Sequence, residues 1–306
     1  MGGLLNELGK KLADRWLTLL VLPGALYMAV AVAGHKLGQA HAFDLSELTH
    51  AVTTYATSPT VKTVGGQIAL LAAVLAGAAG IGLTAQGLGS LIERMALAPG
   101  WQAWPSVPRL LARSEVLRRR RRWDAAHAAY QAALQQALAP ASADRPDPAV
   151  RQRAARIRSH IAVERPERPS WSGDRIHAAA LRLDRDLHLD LAILWPTLWL
   201  TLPVPVRDEI TSARTAMTRA TTLAAWSVLY APLTIWWWPA ALISAVVALA
   251  SRYHLRAATD TYALLLEAAT RLYTPALLDS LGISRSGSVT PELGDALMNQ
   301  LTSLTP

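Results

Sequence analysis

Three histidines in one polar stretch are the first candidates for chemistry in this sequence. His35, His41 and His50 lie between two apolar runs, with Asp44 and Glu47 among them. Imidazole and carboxylate groups are common zinc ligands, but zinc sites place them at characteristic short spacings. The spacing here matches no such pattern, so the sequence predicts no metal site.

Acids and arginines alternate in a second polar stretch, which contains Asp174, Asp184, Asp186 and Asp190. This pattern is typical of ion pairs on helix surfaces rather than of general acid and base catalysis. The chain has no cysteine, which excludes disulfides and thiolate nucleophiles. It also lacks phosphate-binding glycine loops and the zinc-protease and serine-hydrolase motifs. We therefore expect neither an enzymatic activity nor a bound cofactor.

An unbroken run of five arginines is the strongest charge signal in the chain. Three interpretations fit such a run: nucleic-acid binding, contact with anionic lipid head groups, or a signal that fixes membrane topology. Nucleic-acid binding would require aromatic residues interleaved with the charges and a recognisable module, and neither is present. We therefore predict lipid contact or a topology signal and do not expect a nucleic-acid partner. The five residues are Arg118, Arg119, Arg120, Arg121 and Arg122.

The composition places this chain in a lipid bilayer. Of its 306 residues, 52% are hydrophobic and 17% are charged, and the mean hydropathy is +0.21. A run without charge covers residues 16–34, a second apolar run covers 65–92, and a third covers 217–256. As one helix, the third run would be about 60 Å long, twice the roughly 30 Å of a hydrocarbon core. We therefore predict that it forms a hairpin of two spans.

The predicted fold is all-α: a polytopic membrane protein with four transmembrane helices and a helical cytoplasmic segment between spans 2 and 3. In that segment we expect three helices. The first covers 107–138, the second is arginine-rich and ends at about 163, and the third covers 174–186. Residues 1–15 form an amphipathic helix, either lying on an anionic leaflet or extending the first span. The predicted divisions are 1–15, the first transmembrane pair 16–92 with an external loop at 35–64, the basic segment 93–216, the hairpin 217–256, and a helix with a flexible tail at 257–306. Within that tail, 291–301 form a possible short helix.

Small residues recur at four-residue spacing in the second apolar run. Ala73 and Gly77 form one such pair, and Ala76 and Gly80 form another beside it. Small residues at this spacing let helix backbones approach closely in lipid. We predict helix packing there, within the chain or between copies in a homo-oligomer.

Three tryptophans form the predicted corner of the hairpin. Trp236, Trp237 and Trp238 precede a proline, and tryptophan prefers the membrane–water interface. We predict that these three side chains anchor the corner at the interface. Pro232 should kink the ascending arm, and Pro23 should kink the first span.

The apolar stretch 189–205 is short for a span and is interrupted by prolines. We interpret it as a buried or interfacial pair of helices, with a re-entrant membrane segment as the alternative. Trp195 and Trp199 are four residues apart and should share one helix face. Together with Pro196 they are the candidate partner-binding residues.

The distribution of basic residues predicts the orientation in the membrane. The segment 93–216 holds 20 arginines and no lysine, the N-terminal flank holds three basic residues, and the hairpin turn holds none. Basic loops favour the cytoplasmic side. We therefore place the segment and both termini in the cytoplasm of a cell-membrane protein.

A stretch of the chain resembles a family of uncharacterised bacterial multi-pass membrane proteins. That family has a P-[ST]-x-x-G-[ND] turn, a Y-G-[LI]-D element, and then W-P-R-L-W with a Leu-Pro close. This sequence has Leu187 and His188 in place of Tyr-Gly, and Thr197 in place of Arg. The resemblance implies a cytoplasmic segment ahead of a membrane hairpin and implies no activity. The matching residues are Pro169, Ser170, Gly173, Asp174, Leu189, Asp190, Trp195, Pro196, Leu198, Trp199, Leu202 and Pro203.

Three functions remain open from the sequence. The first is a non-enzymatic integral membrane protein that docks a cytoplasmic protein partner or assembly at the inner face of the cell membrane. The second is an oligomeric channel or pore built from the small-residue face. The third is an enzyme without a recognisable motif. The absence of catalytic motifs and the large basic segment favour the first.

Overall fold

The computed structural model describes residues 21–44, 63–138, 147–284 and 287–304, together with Ser46, Thr49, His50, Thr53 and Thr54. Within this part of the chain the structure is helical and contains no strand, so the all-α prediction is confirmed. The predicted amphipathic helix at 1–15 lies outside the described residues. The α-helices are α1 Leu22–Leu37, α2 Val64–Leu97, α3 Ser106–Leu138, α4 Pro148–Ile161, α5 Trp171–Leu187, α6 Leu191–Thr201, α7 Val204–Tyr230, α8 Pro239–Ser280 and α9 Pro291–Leu304.

Polar side chains fix the starts of three helices. Asp147, Ser170 and Asp190 each accept a hydrogen bond from a backbone N–H in the first turn of α4, α5 and α6 respectively. Such caps satisfy N–H groups that have no partner inside the helix. The α3 bounds agree with the predicted helix over 107–138.

A glycine follows the C-terminal end of α8. Gly282 has φ +75°, a left-handed conformation that glycine adopts without strain.

The described residues form two compact units. The first unit contains α1, α2 up to Ile92, and residues Thr218–Tyr253. The second contains Glu93–Met217 and the chain from His254 onward. The divisions between units therefore fall within α2, α7 and α8.

Close helix contacts build the first unit. A Cβ at Gly24 in α1 would overlap the backbone carbonyl oxygen of Ala78 in α2, and Ala78 is fully buried. The Tyr27 hydroxyl donates to the Leu229 carbonyl at 3.2 Å, and its ring packs edge-on against Tyr230 at 5.2 Å. The predicted kink at Pro23 involves residues before Val21, which lie outside the described part of the chain.

The hairpin is present as two packed helices joined by residues 231–238. The Ser251 hydroxyl of α8 donates to the Ala220 carbonyl of α7, and Ser244 donates to Ser227, each at 2.8 Å. One detail of the prediction was wrong. Pro232 does not kink an α-helix but lies in the first turn of a 3₁₀ helix, Ala231–Ile235, that follows α7, where proline is tolerated. The descending arm and the helix predicted after it form one unbroken α-helix, α8.

One described helix is long and apolar enough to cross a membrane. α2 has 34 residues, and by length and composition it meets the requirement for a span. Its apolar side chains are mostly exposed within the chain, including Leu71 and Leu83 at 61% and 57%.

A leucine-rich core holds the second unit together. Leu194 and Leu198 of α6 are fully buried beside Leu183 of α5 and Leu277 of α8. The stretch 189–205 is therefore buried on one face, as one interpretation predicted. It contains α6 and the start of α7, which are separate helices because the chain leaves helical geometry at Leu202 ahead of Pro203.

The C-terminal tail contains a packed helix. Leu297 and Leu301 of α9 are buried in the same leucine core. A Cβ at Gly294 would overlap the Leu187 carbonyl oxygen, so glycine permits α9 to lie directly on the end of α5. The possible short helix in the predicted tail is therefore present as α9, and its leucines are spaced to bury one helix face.

Candidate functional site

The arginine run in α3 contains one buried member. Arg119 donates through one terminal nitrogen to the Arg168 carbonyl and through the other to the Ile161 carbonyl, each at 2.9 Å. Its first nitrogen also lies 2.7 Å from a carboxylate oxygen of Asp174. Arg119 thereby ties α3 to both ends of the loop 162–170.

Asp174 is the acid that balances this buried charge. Its other carboxylate oxygen accepts backbone N–H groups of Glu167 at 2.8 Å and Arg168 at 2.7 Å. Burial raises the pKa of the Asp174 carboxyl, against the lowering effect of the Arg119 charge. Burial also lowers the pKa of the Arg119 guanidinium, against the attraction of Asp174. A pair this buried depends on having both partners.

The resemblance motif P-S-x-x-G-D has a structural role in this site. Ser170 caps α5 by accepting the Gly173 N–H at 2.9 Å, and its hydroxyl donates to the Ala96 carbonyl. A Cβ at Gly173 would come within 2.6 Å of the Leu97 carbonyl oxygen. The turn therefore requires a small cap, a glycine and a buried acid at these positions.

Further donors from α3 hold the same loop. Arg120 donates to the Pro166 carbonyl at 2.7 Å, and the Trp123 indole donates to the Ala162 carbonyl at 3.0 Å. Arg165 forms a two-point ion pair with Asp124, with both contacts at 3.0 Å. The loop 162–170 is thus fixed along its length.

These contacts change the interpretation of the arginine run. Arg119 is 8% exposed, so the prediction that it contacts lipid was wrong: its charge faces a buried carboxylate. Arg120 is half-buried with one nitrogen committed to the loop. Arg118 is exposed and pairs with Glu115 at 2.7 Å. Arg121 and Arg122 are exposed and remain predicted lipid contacts.

The candidate partner-binding residues form an aromatic groove, defined here as the cavity beside α6. Trp195 and Trp199 are half-buried with ring centroids 5.7 Å apart, so they share one face as predicted. Pro196 is exposed on the same helix. Arg214 lies at this cavity and pairs with Glu93. The cavity measures about 310 Å³, and its lining residues are Trp195, Pro196, Trp199, Ile210, Thr211, Arg214 and Tyr262.

The three tryptophans of the hairpin corner differ in their exposure and in their contacts. Trp236 and Trp238 are 47% and 45% exposed. Trp237 instead packs on Gly34, and its indole donates to the Ala42 carbonyl at 2.9 Å. These two side chains keep a large exposed fraction while their rings pack edge-on against His35 and Phe43, and Trp237 fastens the corner to the end of α1.

The predicted small residues of α2 lie mostly on its exposed side. Ala73, Ala76 and Gly80 are exposed, nothing lies within 4 Å of a Cβ added at Gly80, and Gly77 approaches the side chain of Met28. The small residues that are buried are a different set on the same helix: Ala78, Gly82, Ala85 and Gly89. Periodicity alone could not select between these sets, because both have near-helical spacing.

Among the residues that the structure describes, no three metal-ligating side chains come together. His35 instead packs edge-on against Trp236, with ring centroids 6.3 Å apart. Glu47, one of the acids considered beside the histidines, lies outside the described residues. The buried Arg119–Asp174 pair is what the sequence analysis missed. An acid in the first turn after a serine cap was the available signal for it.

Searches against protein-family models, curated proteins and solved structures find no match to this chain. The resemblance carried by the P-S-x-x-G-D turn and the W-P-x-L-W element stays a prediction.

Proposed function

We propose that this chain is a non-enzymatic integral membrane protein that docks a cytoplasmic protein partner or assembly at the inner face of the cell membrane. In this proposal four helices cross the bilayer: the helix containing α1, then α2, and the two arms of the hairpin. The arginine-rich second unit and both termini lie in the cytoplasm. Support comes from the apolar α2 and from the concentration of arginine in 93–216.

The observation that carries the proposal is the aromatic groove. Leu194 and Leu198 fix α6 in the core, which leaves Trp195 and Trp199 half-exposed on a rigid helix. Tryptophan residues on rigid elements dominate many protein–protein contacts, because they offer a large area at a small entropy cost. The pairing of Arg214 with Glu93 neutralises the charge at the groove, so an apolar segment of a partner suits it.

Substitution in the groove tests the docking function. Trp199→Gln removes the ring from the groove, and Leu200→Gln is the matched control because Leu200 is on the same helix and 78% exposed. Affinity purification from gently solubilised membranes should recover a stoichiometric partner with the wild-type chain and with Leu200→Gln, but not with Trp199→Gln. Circular dichroism checks that both variants fold. Equal recovery with both variants would contradict docking at this groove.

A homo-oligomeric channel is the second candidate, and the exposed stripe Ala73, Ala76 and Gly80 on α2 favours it. Small residues that are not buried within the chain are available for close packing between copies. A channel would give a homo-oligomer in neutral detergent and ion flux in liposomes without any partner. That result would replace the docking proposal.

A further inference from the structure

A cavity of about 590 Å³ lies between the segment that follows α2, the helix α3 and the loop 162–170. This volume is in the range of small-molecule binding sites. Trp101 forms one wall, and its indole donates to the Glu167 carbonyl at 3.0 Å, which fixes the ring. Leu117 of α3 lines the cavity, so the site offers apolar contact beside its charges.

Three guanidinium groups line this cavity: Arg113, Arg120 and Arg168. Its one carboxylate, Glu167, contacts His177 at 2.9 Å. The lining of the cavity therefore carries a net positive charge. Arginine is the residue best suited to phosphate groups, because its planar fork can donate two parallel hydrogen bonds to two oxygens.

Two of the guanidinium groups are held in place before any ligand binds. Arg120 donates its Nε to the Pro166 carbonyl at 2.7 Å, and Arg168 donates one terminal nitrogen to the Leu97 carbonyl at 3.0 Å. Fixed donors lower the entropy cost of binding. Burial also lowers the pKa of Arg168, against the attraction of Asp174 and Glu167, so this cation lacks solvation that an anion would restore.

Arg113 differs from Arg120 and Arg168 in its exposure and in its contacts. It is exposed on α3, and it forms no ion pair or side-chain hydrogen bond with the part of the chain that the structure describes. Its whole fork is available to a ligand.

We propose that this cavity binds a phosphate-bearing organic anion, with Arg120 and Arg168 as fixed donors and Arg113 as the fork that closes on the phosphate. The phosphate belongs either to an anionic phospholipid head group or to a soluble phosphate ester. The lining residues Ala98, Gly100 and Trp101 directly follow α2 in the sequence, which brings lipid head groups within reach if α2 crosses a membrane. The site is separate from the aromatic groove and does not depend on a docked partner.

Binding to the full chain in neutral maltoside detergent tests the proposal. The probes are inorganic phosphate, glycerol 3-phosphate and dihexanoyl phosphatidylglycerol, with glycerol as the uncharged control, measured by calorimetry at 0.15 M salt. Arg113→Gln should weaken binding of the preferred probe by about tenfold or more, because it removes a charge-assisted contact. Arg113→Lys should recover part of the affinity by restoring the charge without the fork.

Arg153→Gln is the matched control, because it removes the same charge from an exposed position on α4 that does not line the cavity. It should leave the affinity within about twofold of wild type. Preference for the phosphatidylglycerol probe would assign the lipid source, and equal or better binding of glycerol 3-phosphate would assign the soluble one. Equal weakening by Arg113→Gln and Arg153→Gln, or no binding of any probe by the wild-type chain, would overturn the proposal.

Discussion

The buried Arg119 guanidinium gives the sharpest residue-scale prediction. Arg119→Ala leaves the buried Asp174 carboxyl without its counter-charge, so we expect a loss of about 3–5 kcal/mol in the free energy of unfolding. Arg121→Ala in the same helix should change it by no more than about 0.5 kcal/mol, because that side chain is exposed. Thermal unfolding in detergent, followed by circular dichroism, measures both. Equal stability of the two variants would mean that the buried pair does not support the fold.

Asp186 makes a pH-dependent contribution of known sign. Its hydrogen bond from Arg271, at 2.7 Å, lowers the pKa of the carboxyl from its ordinary value of 3.8. A depressed pKa in the folded state adds stability that is fully present above the ordinary value and is lost as pH falls through the depressed one. Both side chains are more than a third exposed, so solvent screening keeps the contribution to about 0.2–1 kcal/mol.

Arg271→Gln should reveal that contribution as a difference from wild type. The wild-type chain should melt at a higher temperature at pH 7, and the two curves should converge as Asp186 becomes protonated at low pH. The variant also loses the weaker contact between Arg271 and Glu267, at 3.3 Å, and this loss lowers its melting temperature as well. A stability difference that persists unchanged in strong acid would contradict this assignment.

At the scale of elements, Gly24 permits the close approach of α1 to the backbone of α2. Gly24→Ala would place a methyl group on the Ala78 carbonyl, and overpacking of this kind costs about 1–3 kcal/mol. Gly80→Ala is the matched control, because nothing lies within 4 Å of the added carbon. Removing a helical glycine there should leave the chain unchanged or stabilise it by up to about 1 kcal/mol.

The same pair of variants separates the two functional candidates. Size-exclusion chromatography with light scattering reports the assembly state alongside the melting temperature. If Gly80→Ala dissociates a homo-oligomer, the exposed side of α2 is an interface between copies, as the channel candidate requires. If it changes neither quantity, the small-residue stripe has no packing partner.

Sequence patterns predicted helices well where one face is buried, and less well where the contact partners are distant. The α3 bounds and the shared face of Trp195 and Trp199 followed from periodicity. The inward turn of Arg119 did not, since its partners lie 42 and 49 residues away in sequence. The sequence does not distinguish among five adjacent arginines. Only the position of the loop 162–170 determines that Arg119 is the buried one. Likewise, only the packing of α1 selects Ala78 over Ala76 on α2.

For the whole molecule, the proposed four-span topology predicts which polar segments are reachable from outside the cell. The native chain has no cysteine, so single cysteines at Ser58 and Ser142 report accessibility without background. A membrane-impermeant maleimide should label Ser58→Cys in intact cells and label Ser142→Cys only after permeabilisation. Labelling of Ser142→Cys from outside would invert the proposed orientation, and equal labelling of both would remove α2 as a span.

The loop fastened by Arg119 also sets an order of events during synthesis. The ribosome completes α3 well before it reaches the carbonyl at Arg168, which is 49 residues beyond Arg119. Until then the Arg119 guanidinium stays hydrated and available to surrounding anions, because its acceptors at Arg168 and Asp174 do not yet exist. Burial of Arg119 therefore requires the chain up to Asp174, and contacts between positions this far apart form late in folding. A nascent chain stopped before Asp174 would carry a more strongly basic surface than the finished protein.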